Sequence, residues 1–102
     1  MYARIARFEG GDPSRLDETI EANRRYVEQS LDSPPEGLEG AKGIWMLVDR
    51  KAARGLGITL FDTEEDLRKG DEALNRMAPP DAEGGGRRTS IEFYEVVFQR
   101  EL

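Results

Sequence analysis

Apolar and polar side chains alternate along this chain with two different periods, and the order of those periods is its most informative property. From Tyr2 to Glu9 the alternation is residue by residue, with Tyr2, Arg4, Ala6 and Phe8 on one side and Ala3, Ile5 and Arg7 on the other, which predicts a strand. Gly10-Gly11 ends it. Asp12-Pro13 predicts a helix start, because an Asp side chain can accept the free N–H groups of a first turn and Pro suits the first helical position. Leu16, Ile20, Val27 and Leu31 then recur at helical spacing until Asp32-Ser33-Pro34-Pro35 stops the helix, and a Gly-containing loop runs to Lys42.

The two-residue period returns from Gly43 to Arg50, with Ile44, Met46 and Val48 on one face and Trp45 and Leu47 on the other. The polar segment Lys51 to Arg54 turns the chain into a third strand, Gly55 to Phe61, so the pair predicts a hairpin. Asp62-Thr63-Glu64-Glu65-Asp66 opens a second helix. Asp62 with Glu65 and Thr63 with Asp66 both have the spacing of an N-terminal cap, and the carboxylates suit the positive end of the helix dipole. Leu67, Leu74 and Met77 form its apolar stripe, and Pro79-Pro80 ends it. Asp81 to Arg88, with Gly84-Gly85-Gly86, reads as a loop. Thr89 to Gln99 is the last and longest predicted strand, with Ile91, Phe93 and Val97 on one face and Tyr94, Val96 and Phe98 on the other.

The order β-α-β-β-α-β predicts one α+β domain over residues 1–102 with a ferredoxin-like arrangement. Its sheet has four antiparallel strands, the first and third central, the second and fourth at the edges, with both helices on one face. Strands that are apolar on both sides leave the uncovered face in need of a partner. A second copy is the physical solution, so a homodimer is expected; a different protein on that face is the alternative.

Composition narrows the functions. The 102 residues suffice for a core of their own. With 21 acidic against 15 scattered basic residues and a net charge of −6, nucleic acid is not an expected partner. Cysteine is absent, which removes disulfides and thiolate chemistry. The longest apolar run, Ile44 to Val48, is too short to span a bilayer, and residues 1–9 alternate instead of forming a signal core, so the expected compartment is the cytoplasm. Asp62 to Asp66 lacks the ligand spacing of a calcium loop, and no metal site is expected. Gly55-Leu56-Gly57 has no third glycine and precedes a strand, so a dinucleotide fingerprint is not supported.

Four stretches together resemble the antibiotic biosynthesis monooxygenase-like family. They are Tyr2-Ala3-Arg4-Ile5-Ala6-Arg7-Phe8, Gly43-Ile44-Trp45-Met46-Leu47-Val48-Asp49-Arg50, Gly55 through Glu65, and Ser90-Ile91-Glu92-Phe93-Tyr94-Glu95-Val96-Val97. The resemblance implies a dimeric α+β barrel, with a small-molecule pocket between sheet and helices in each subunit. It also implies cofactor-independent oxygenation of an aromatic or enolisable substrate, with no cofactor. The family's haem-degrading branch uses an Asn, a Trp and a haem-ligating His. This chain has no histidine, and Trp45 lies on a strand and not at the expected helical position, so that role is not carried over. The alternative is a dimeric ligand-binding or interaction module without turnover.

Six residues are candidates for ligand binding. Asn23 falls within the Leu16, Ile20, Val27 stripe, where an unpaired amide costs roughly 1–3 kcal/mol; it either orients a ligand or bonds to neighbouring protein groups. Gly70, in a helix where glycine costs about 1 kcal/mol relative to alanine, either opens pocket volume or permits close helix–sheet packing. Arg4 could clamp a carboxylate or an enolate oxygen, or form a salt bridge at the dimer interface. Trp45 and Tyr94 could stack on a planar substrate, or serve as core or interface. Tyr26 lies where a pocket mouth or an ordinary amphipathic boundary would place it. Gly84-Gly85-Gly86-Arg87-Arg88 could touch an anion, although no phosphate motif frames it and a loop is the simpler reading.

Overall fold

The computed structural model describes residues 1–77 and 86–102. Strand β1, Tyr2–Glu9, is followed by a single 3-10 turn, Pro13–Arg15, and helix α1, Leu16–Asp32. Strands β2, Ala41–Asp49, and β3, Arg54–Phe61, form the hairpin; helix α2, Glu64–Arg76, and strand β4, Arg87–Glu95, complete the chain. The sheet order is β2-β3-β1-β4 with every neighbouring pair antiparallel, which is the predicted ferredoxin-like topology.

Local chemistry accounts for the boundaries. Asp12 accepts from the Ser14 N–H at 2.9 Å, and its cap initiates the 3-10 turn from which α1 departs at Leu16. Of the two possible caps of α2, Thr63 is the one used: its hydroxyl accepts from the Asp66 N–H at 3.0 Å. The hairpin turn is organised by Asp49, whose Oδ1 accepts from the N–H groups of Lys51 and Ala52 while Oδ2 receives Arg54 Nε, all at 3.2 Å. The turn closes through Ala53 at φ +52°, and the Ala53 carbonyl accepts from the Gly11 N–H at 3.0 Å, tying the end of β1 to the hairpin.

Two strands depart from expectation. β2 begins two residues early, at Ala41, because its pairing with Phe61 carries it past a register shift before Gly43. β4 runs from Arg87 to Glu95 and not from Thr89 to Gln99. Its partner is β1: the ladder closes where Tyr2 pairs with Glu95, and the Val96 N–H donates to the Met1 carbonyl at 2.8 Å just beyond it. Val97 and Phe98 keep the alternating pattern of a strand but are 85% and 80% exposed. The Pro79-Pro80 stop and residues 81–85 of the glycine-rich loop lie outside the described residues.

Pairing register sorts the side chains. Arg4, Ala6 and Phe8 of β1 share a face with Ile44, Met46 and Val48 of β2, Thr59 and Phe61 of β3, and Phe93 of β4. This is the helix side. The two helices treat it differently: α2 packs directly on β1, β2 and β3, whereas α1 is held off the sheet by a cavity. The close contact of α2 is made at Gly70, where a Cβ would overlap the ring of Phe61, the large side chain that is fully buried. Gly70 therefore serves helix–sheet packing and opens no pocket.

Gly70→Ala should destabilise the fold despite alanine's better helix propensity. Overpacking a rigid core costs about 1–3 kcal/mol and the propensity gain returns about 1; the overlap with the Phe61 ring puts the cost toward the upper end, so a net loss approaching about 2 kcal/mol is expected in urea denaturation. An unchanged midpoint would show that Phe61 can move aside.

Candidate functional site

The cavity between α1 and the sheet has a volume of about 240 Å³. Its roof is Leu16, Thr19, Ile20, Asn23, Tyr26 and Val27 of α1, and its floor includes Arg4, Ala6, Phe8, Ile44, Met46, Gly57 and Thr59. A 150 Å³ apolar cavity accepts benzene, so this one suits a molecule nearer two fused rings. Two other concavities are shallower in chemistry: about 320 Å³ beside the hairpin, lined by Arg7, Glu9, Asp49 and Arg54 among others, and about 600 Å³ between α2 and β4, lined by Glu64, Arg68, Asp71 and Glu95 among others. Both are edged by charges of each sign, which in the hairpin concavity include the Arg54–Asp49 pair. Of these three, the α1 cleft has a mainly apolar lining with a few converging polar groups.

Among the described residues, the Asn23 side chain has no hydrogen-bond partner. It stands half-buried on the cavity wall, and the bond to protein neighbours weighed from sequence is not made to any described residue. Arg4 is the other polar focus. It is only 4% exposed, and its position on the helix side excludes a salt bridge on the uncovered sheet face. Nε donates to Asp71 Oδ1 at 2.8 Å and Nη2 to Asn75 Oδ1 at 3.1 Å, both on α2. Asp71 and Asn75 are four residues apart and so occupy one face of the helix. The charges lining the cavity among the described residues are Arg4 and Arg54; no carboxylate lines it.

The remaining candidates are dispersed. Tyr26 lies on the cavity wall and is 37% exposed, as a residue at a mouth would be. Trp45 borders the cavity through the β2 backbone, but the pleat assigns its side chain to the opposite face, where it is 52% exposed. Tyr94 is on that opposite face too and does not line the cleft. Thr59 and Met46, which do, carried no distinguishing sequence signal: each is an ordinary strand residue until the register sets it opposite α1.

The uncovered face carries Ile5, Trp45, Leu47, Leu56, Ile58 and Tyr94, with one polar network across it. Arg7 Nε donates to Glu92 Oε2 at 2.5 Å and the Tyr94 hydroxyl donates to Glu92 Oε1 at 2.7 Å. The Arg7 bond, then the Tyr94 bond, hold the Glu92 carboxyl below the usual glutamate value, and the bond to Glu92 pushes the Tyr94 phenol up. No cluster of carboxylates among the described residues is placed to hold a metal ion, and no described helix is long and apolar enough to cross a membrane.

No protein family and no curated protein sequence matches this sequence. Solved structures do match its fold. An antibiotic biosynthesis monooxygenase superposes with a TM-score of 0.58 over 95% of this chain and 99% of its own, at 16% identity. A point mutant of MhuD with two manganese protoporphyrin IX molecules bound per active site superposes with a TM-score of 0.60 over 99% of both chains, at 17% identity. The likeness at such identities is one of architecture, and that architecture is the one the strand pattern implied.

Because the folded chain lowers the Glu92 pKa, the network's contribution is present above the ordinary glutamate range and is lost as pH falls through the depressed value. On the alkaline side the raised Tyr94 contributes below the ordinary tyrosine value and is lost as pH rises through its own. Glu92→Gln should flatten both limbs of a plot of denaturation midpoint against pH. Identical slopes in wild type and variant would mean the network contributes nothing.

Proposed function

We propose that this chain is a homodimeric binding protein for a small, largely apolar molecule of about two fused rings, held between α1 and the sheet. The observation that carries the reading is the unpartnered Asn23 amide on the wall of an apolar cavity: a polar group half-withdrawn from water, with no protein partner among the described residues, is poised for a ligand. The architecture shared with an antibiotic biosynthesis monooxygenase supports a place within that family.

A porphyrin does not fit the residues present. The cavity volume is well short of a macrocycle, and the sequence offers no histidine to bind its iron. Cofactor-independent oxygenation of an aromatic or enolisable substrate is the second reading, favoured by Arg4 and Tyr26 on one cleft, since a guanidinium stabilises a developing enolate oxygen. Such a reaction also needs a base, and the described lining has neither carboxylate nor imidazole and leaves only the Tyr26 phenol for that task, so binding without turnover is the better-supported function. Oxygen consumption on adding a phenolic ligand would reverse that preference.

The dimer is supported by the apolar residues of the uncovered face and by Val97 and Phe98, which have no cover in a single chain. A second copy hides both kinds of surface.

Filling the cavity tests the binding site. Met46→Trp should abolish saturable binding of 2-naphthol, read as shifts of the Asn23 side-chain amide resonances in the wild type; binding that survives the substitution would place the ligand elsewhere. Light scattering should give twice the chain mass for the wild type and one chain mass for Trp45→Glu on the uncovered face. A wild-type monomer at micromolar concentration would remove the dimer.

A further inference from the structure

We propose that the ligand of the α1 cleft carries a carboxylate, received by the outer edge of the Arg4 guanidinium. The inference rests on the cleft being the binding site and names the chemistry of what enters it. A guanidinium has five N–H donors in a planar fork. Asp71 takes Nε and Asn75 takes one hydrogen of Nη2, which together occupy one edge of that fork. Among the described residues nothing accepts from Nη1 or from the second hydrogen of Nη2, so the edge formed by the two terminal nitrogens is unused. Arg4 is 4% exposed and lines the cavity, so among the described residues the free edge is left to water or to an occupant of the cavity. Two parallel N–H groups at that spacing match a carboxylate's two oxygens.

Charge favours an anion over a ketone or amide at this position. Arg88 Nη1 donates to the same Asn75 Oδ1 at 2.8 Å, so two guanidiniums converge on one neutral oxygen with Asp71 as the carboxylate bonded to the group. Among the described residues of the cluster one positive charge is left uncompensated. Arg88 and Asn75 are exposed, so solvent screens part of that charge, and the larger share of recognition falls to buried Arg4. The cavity wall opposes it nowhere: the described lining contains no carboxylate, in a protein with net charge −6. The apolar remainder of the wall then accommodates the hydrocarbon body of the acid, and Asn23 faces it from the α1 side.

The test compares 2-naphthoate with its neutral isostere 2-naphthamide by calorimetry on the full chain. Naphthoate should bind roughly tenfold or more tightly, the discrimination expected of a charge-assisted pair. Asp71→Asn, which leaves Arg4 an acceptor while removing the competing charge, should strengthen naphthoate and leave naphthamide unchanged. Arg88→Gln, at an exposed position, should weaken naphthoate a few-fold only. The double variant Arg4→Gln with Asp71→Asn should erase the preference. Equal wild-type affinities for the two probes would overturn the carboxylate assignment and leave the cleft standing, as would a preference untouched by both Asp71→Asn and Arg88→Gln. Failure of both probes to bind would overturn the cleft itself.

Discussion

The contact of Phe61 with Gly70 is the constraint on which the remaining geometry depends. Phe61 ends β3 with its ring fully withdrawn from water, and the only way to seat a helix over it is to remove the Cβ from the residue above. That brings α2 down onto the sheet and fixes its rotation. Asp71 follows Gly70 directly and Asn75 comes one turn later, so the same seating delivers both acceptors to Arg4 on the central strand β1. A buried guanidinium without them would be strongly destabilising.

The asymmetry of the two helices follows. α2 has small residues at its contact face, Gly70 and Ala73, and lies tight. α1, which follows directly on the 3-10 turn, presents Leu16, Thr19, Ile20, Asn23 and Val27 to the cavity beneath it. The Arg4–Asp71 pair stands at the division between the packed half and the hollow half: Asp71 faces the concavity beside β4, and Arg4 faces the cleft.

Topology was legible in the sequence because period and punctuation are local properties. The alternation from Tyr2, the Asp12-Pro13 start and the Thr63–Asp66 spacing each report the backbone within a few residues. The end of β4 was not legible, since Val96 to Gln99 has strand-like alternation and the extent of the strand depends on its pairing with β1, some ninety residues earlier. Asn23 could be singled out as a polar residue in an apolar stripe, but whether a partner awaited it depended on how far α1 stands from the sheet. Gly70 was visible as an anomaly with two meanings, and only the position of Phe61 separates them. Arg4 was visible as a charge on a strand, whereas its facing direction is set by pairing with Thr59 and Phe93. Tyr94 and Trp45 were drawn into the candidate site by chemical type, and the pleat sends both away.

The hollow under α1 also bears on how such a chain can change over time. The α2 half is closely packed around Phe61, Gly70, Ala73 and Arg4, while Ile20, Val27, Ile44 and Met46 border open volume. Substitutions at these four positions can reshape the cavity with little strain, because few neighbours must repack. A fold divided in this way can keep its frame constant while its occupant is replaced, which is the property a lineage needs to move from one small molecule to another.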